Sequence, residues 1–107
     1  MTSLRHQAYL INWVDDRNAV DPVTDNIDVV VHFEDSSRYT ATFFTPENIE
    51  LLRKRYEETG ECSSGLYFWA SHMIIVERLT WENVEKVVAD LIEGGEFESA
   101  FEGPFSD

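Results

Sequence analysis

Cys62, Ser63 and Ser64, in the run Glu-Cys-Ser-Ser-Gly, are the side chains best placed by type to act as nucleophiles, with His72 or His32 as the base. A thiol or hydroxyl attacks only when a base or a lowered pKa activates it, and a third group orients that base. Glu61 adjoins Cys62 and would raise the thiol's pKa, and the chain has no Gly-x-Ser-x-Gly turn. These residues predict no catalytic centre, and the chain is expected not to be an enzyme. His6, His32 and His72 lie on separate segments without the helical spacing of a zinc site, so no metal is expected. The aspartates from Asp15 to Asp28 lack the alternating order and terminal glutamate of a calcium loop. No glycines fall at the spacing of a phosphate-binding loop after a strand, and no cofactor is expected.

The positive signal is a charged surface. Asp15, Asp16, Asp21, Asp25, Asp28, Glu34 and Asp35 stand against the single base Arg17 in that stretch, and Trp13 borders it. An aromatic anchor beside a charged rim suits the energetic centre of an interface. Such a face would dock a basic protein, as small acidic inhibitors, immunity proteins and nucleic-acid mimics do. From another class, Tyr39, Tyr67, Trp69 and Met73 could line a pocket between sheet and helices for a small molecule.

The elements that must position these residues follow from periodicity. Ala8–Val14, Ile27–Phe33 and Arg38–Phe44 alternate and are rich in β-branched and aromatic types, which predicts three strands, the last two joined by a short polar hairpin turn. At Thr45-Pro-Glu-Asn the pattern changes to a capped helix that should end near Gly60, with Ile49, Leu52 and Tyr56 as its stripe. Leu66–Val76 is apolar nearly throughout and predicts a central strand buried on both faces, with Trp69 in the core. Thr80-Trp-Glu-Asn repeats the earlier cap and opens a helix over Trp81–Glu93 carrying Val84, Val87, Val88, Leu91 and Ile92.

The expected fold is α+β, a two-layer sandwich with a four-stranded mixed sheet in the order β-β-β-α-β-α and helices mainly on one face. Residues 1–95 would form the single domain, and 96–107 an acidic, Phe-containing C-terminal tail, loosely docked or partner-binding. A leftover sheet edge leaves a homodimer open.

Composition bounds the remaining classes. The formal charge is −13, from 21 acidic and 8 basic side chains, so long-range repulsion argues against direct contact with nucleic acid. No apolar run approaches the roughly 20 residues that cross a bilayer, and no signal-peptide layout opens the chain, so no membrane association is expected. One cysteine makes no internal disulfide, which fits a reducing compartment, and the expected location is the cytoplasm.

Overall fold

The computed structural model describes residues 4–14 and 16–106, apart from the side chain of Arg17. The chain folds as an α+β domain around a five-stranded sheet, and three of its four strand pairings are antiparallel.

Three strands, β1 (Tyr9–Trp13), β2 (Asn26–Phe33) and β3 (Ser37–Phe44), form an antiparallel meander. The register sets Tyr9 against Phe33 and Trp13 against Val29, then Val29 against Ala41 and Val31 against Tyr39. Alternation places Ile27, Val29, Val31 and Phe33 with Tyr39, Ala41 and Phe43 on one buried face. The β2–β3 turn is closed by Asp35, whose Oδ1 accepts from the Ser37 N–H at 2.9 Å, while Ser36 takes a left-handed φ of 69°.

Helix α1 (Pro46–Thr59) is capped by Thr45, whose Oγ1 accepts from the Asn48 N–H at 3.0 Å, and ends at Gly60, φ 84°. A single turn, α2 (Glu61–Gly65), follows; Cys62, Ser63 and Ser64 in it all have φ between 48° and 59°. Successive non-glycine residues in the left-handed region cost about 1–2 kcal/mol each, so this turn is strained. The chain then runs through exposed Leu66 and Tyr67 to a three-residue strand, β4 (Met73–Ile75).

Helix α3 (Trp81–Glu93) repeats the first cap: Thr80 Oγ1 accepts from the Asn83 N–H at 3.1 Å. Its Val84, Val88 and Ile92 fall at i, i+4 and i+8 and are buried against the sheet. Helix α4 (Phe97–Ala100) and strand β5 (Glu102–Ser106) complete the chain.

The far edge of β3 is divided between two strands. β4 runs parallel to its second half, Thr42–Phe44, and β5 antiparallel to its first, with Arg38 opposite Phe105 and Thr40 opposite Glu102.

Three expectations are corrected here. Leu66–Val76 is not a central strand; only Met73–Ile75 pairs, at the sheet's edge, and Trp69 is 66% exposed. An uncharged run has the same composition whether it meets the core or lies bare on the surface. Of the two long helices, α3 joins the core cluster and α1 does not, because α1 leans instead on the segment after it, with Tyr56 stacked on Phe68. The segment expected as a tail contributes Phe97 and Phe101, each 1% exposed, to the core, and β5 to the sheet.

Candidate functional site

A groove of about 450 Å³ lies where the end of β1, the loop after it and the N-terminus of α3 meet. Its aromatic wall is Trp13 and Trp81, ring centroids 5.9 Å apart and tilted by 44°. Strand alternation turns Trp13 toward the core side, and the cap at Thr80 fixes Trp81 as the first residue of α3. Asp16, Asn18 and Thr80 supply polar groups, and Pro22 and Leu79 close the apolar floor. Asp16 Oδ1 accepts from the Asn18 N–H at 2.9 Å, so the loop reverses into a short turn, Arg17–Ala19, and its carboxylate stays exposed. Among the described residues, Trp13 Nε1 is a buried donor without a hydrogen-bond partner.

A buried polar network holds the rest of this loop. Asn48, 7% exposed on α1, donates to the Thr24 carbonyl at 2.7 Å and accepts from Asn26 Nδ2 at 3.0 Å, and Thr45 Oγ1 donates to the Val23 carbonyl. Leu79 N–H donates to the Pro22 carbonyl at 2.8 Å, tying the loop to the approach of α3. Replacing Asn48 by alanine removes its bonds to the Thr24 carbonyl and the Asn26 amide, and should cost about 2 kcal/mol in a denaturant titration. The same variant should speed hydrogen exchange in the loop ahead of β2.

The acidic residues expected to form one surface are distributed differently. Asp15 lies outside the described residues. Asp16 lines the groove. Asp21 organises the loop, its Oδ1 accepting from Val23 N–H at 2.8 Å and Thr24 N–H at 3.1 Å, and these bonds hold its carboxyl below the usual carboxylate range. Asp25 accepts from the Asp21 N–H at 2.7 Å. Asp28 is on the opposite, open face of the sheet, where Thr42 Oγ1 donates to it at 2.6 Å. Glu34 and Asp35 sit at the hairpin turn, the length of β2 away, about 25 Å at the usual rise per residue. Hydrogen bonds from Ser37, then from Gln7, hold the Asp35 carboxyl below its ordinary range. Trp13, Asp16, Asp21 and Asp25 therefore share one end of the domain, and Asp28, Glu34 and Asp35 do not join them.

Tyr39, Tyr67, Trp69 and Met73 do not converge on a pocket. Tyr39 is in the core, edge-on to Phe33 and Phe97, where burial and then the Glu98 and Asp35 carboxylates push its phenol pKa up. Tyr67 and Trp69 are exposed, and Met73 is half-buried on β4. A cavity of about 280 Å³ instead lies on the sheet's open face, with Asp28, Thr42, Ser71, His72 and Glu102 among its lining residues. Sequence periodicity signalled that Asp28 leaves the core face, but the approach of Glu102 depends on β5 and has no local signal. His72 Nδ1 is 2.9 Å from Ser71 Oγ, and His72 has φ 50°. Among the described residues no three His, Cys, Asp or Glu side chains converge to hold a metal ion, and no helix is long and apolar enough to cross a membrane.

Sequence placed Trp13 and Asp16 at the site; it missed Trp81, Thr80 and Leu79, whose approach depends on how α3 packs and not on local pattern. Compared with protein-family models, with curated proteins and with solved structures, the chain matches none, so its function is argued from this geometry alone.

Proposed function

We propose that the chain is a non-catalytic interaction module that binds a basic protein through the acidic end of the domain, with the Trp13–Trp81 groove as its anchor point. The observation that carries the reading is the groove itself: two indoles beside an exposed carboxylate, Asp16, around about 450 Å³. An indole face attracts a lysine or arginine head group, by about 0.5–1 kcal/mol when exposed and more when desolvated. The positive end of α3 opposes a cation here, and Glu82 in its first turn offsets that charge. The net charge of −13 speeds the approach of a cationic partner from a distance.

The test is titration of the labelled protein with an arginine-rich peptide, read on the indole N–H signals of its three tryptophans. The Trp13 and Trp81 signals should move and that of Trp69 should not, since Trp69 lines neither wall. Added salt should suppress the shifts, and Asp16→Lys should weaken binding by about tenfold or more, equivalent to 1.4 kcal/mol. Shifts confined to residues near Glu34 and Asp35, or none at low salt, would remove the groove from this role.

A second reading, a small-molecule site, is favoured by the open-face cavity. Asp28, His72 and Glu102 around about 280 Å³ suit a compact ligand with an amine and hydroxyl groups. Its affinity would change little with salt.

A further inference from the structure

The segment from Cys62 to Val76 contains no aspartate, glutamate, lysine or arginine, and it is the longest such run in the chain. It also carries four of the large exposed apolar side chains, Leu66 at 76%, Trp69 at 66%, Ile75 at 58% and Tyr67 at 48%, while Leu10 and Val14 at the β1 edge are exposed to a similar degree. Strand β4 closes this run and, among the described residues, has a strand neighbour, β3, on one edge only. The His72 carbonyl accepts from the Thr42 N–H at 3.2 Å, and the Val76 N–H donates to the Phe44 carbonyl at 2.9 Å. Peptide groups alternate along a strand, so Met73 and Ile75 turn their N–H and C=O groups to the other, bare edge.

From this geometry we infer that the β4 edge and the apolar segment before it form a two-fold interface with a second copy of the chain. An antiparallel partner strand centred on Ile74 would set Met73 opposite Ile75 of the other copy, and Ile75 opposite Met73. Each of those facing pairs exchanges two N–H···O bonds, giving four across the axis and continuing the sheet through both copies. Ile75 lies on β4, and Leu66, Tyr67 and Trp69 lie in the seven residues before it. Their exposed area is on the order of 400 Å² per copy, about half of what one partner of a standard interface contributes, with the strand backbone and neighbouring side chains adding to it.

Charge selects the occupant. Two copies of net charge −13 repel, and they can approach only where neither presents carboxylates to the other. The Cys62–Val76 run meets that condition. Another open edge, β1, lies between Asp16 at one end and Asp35 at the other and would bring like charges together across a two-fold axis, and β5, paired with β3 alone among the described residues, carries Glu102. A basic partner gains nothing from an uncharged surface, so this interface is separate from the groove.

The test is sedimentation of the full chain at micromolar to millimolar concentration, at low and high salt. The expected result is a dimer that strengthens as salt screens the copies from one another, the opposite of the salt response expected for a basic partner. Ile75→Lys and Trp69→Glu, both at exposed positions, should each weaken the dimer about tenfold or more while leaving the circular dichroism unchanged. Leu10→Lys on β1 should leave it intact. If Ile75→Lys disturbs the fold, Trp69→Glu alone decides. A monomer at every concentration, a dimer that survives Trp69→Glu, or one abolished by Leu10→Lys would overturn the inference.

Discussion

Phe97→Ala should lower the stability of the domain by about 3–5 kcal/mol, and ending the chain after Gly95 should abolish cooperative unfolding altogether. Phe97 is 1% exposed and packs against three aromatic rings: its ring centroid is 5.5 Å from Phe33, 5.1 Å from Tyr39 and 4.3 Å from Phe101, the last stacked at 17°. Alanine would leave a cavity amid rigid rings that cannot collapse into it. Phe43, at 0% exposure, loses its edge contact with Phe101 in the truncated chain, and β3 loses its partner along Ser37–Thr40. A domain of this size has about 5–15 kcal/mol in all, so either change consumes a large part of it. Urea titration by tryptophan fluorescence measures both. A loss below about 1 kcal/mol for Phe97→Ala would mean that the C-terminal segment is only loosely docked.

Gly65→Ala should detach the segment after α1, and Gly60→Ala should not. Both glycines have positive φ, 86° and 84°, and alanine costs about 1–2 kcal/mol at either for its backbone conformation alone. A Cβ at Gly65, however, would sit 2.3 Å from the Arg53 carbonyl oxygen, whereas one at Gly60 meets nothing within 4 Å. A helix carbonyl has no rotamer by which to move aside. The Gly65 carbonyl also accepts from Arg53 Nε at 3.0 Å, and that bond is lost if the segment shifts. The expected cost at Gly65 is about 3 kcal/mol or more, limited by the free energy of opening this arm without the rest of the domain. Hydrogen exchange separates the two variants: the second half of α1 and Leu66 should exchange faster in Gly65→Ala, while the amides of β2 remain protected. Equal effects of the two substitutions would show that the close approach at Gly65 is unimportant.

Local pattern carried the sequence reading wherever one face of an element meets the core. Ile27, Val29, Val31 and Phe33 alternate in the sequence and are buried together in β2. The two threonine caps place the starts of α1 and α3 where the structure has them, and Gly60 ends α1 as expected. The pattern fails where burial depends on partners distant in sequence. Leu66–Val76 reads as a core strand because apolar composition is silent about which neighbours arrive, and here few do. Phe97 and Phe101, four apart among acids, resemble a solvated tail until the rings of Phe33, Tyr39 and Phe43 are placed beside them. At the candidate site, Trp13 and Asp16 were legible from strand alternation and loop composition. Trp81 was legible only as the start of a helix, since its approach to Trp13 is a property of packing.

The divided edge of β3 also sets a timetable for synthesis. The first half of that edge, Ser37–Thr40, waits for β5, which begins at Glu102, 58 residues after β3 ends at Phe44 (102 − 44). At about 5–20 residues per second, a ribosome takes roughly 3–12 s to supply it. The β1–β2–β3 meander, built from neighbours in sequence, forms long before that. Throughout the interval the nascent chain carries a strand edge with free amides and carbonyls beside an unfilled aromatic pocket. That is the period in which a chaperone, or a neighbouring nascent chain on the same message, has its best opportunity to engage this protein.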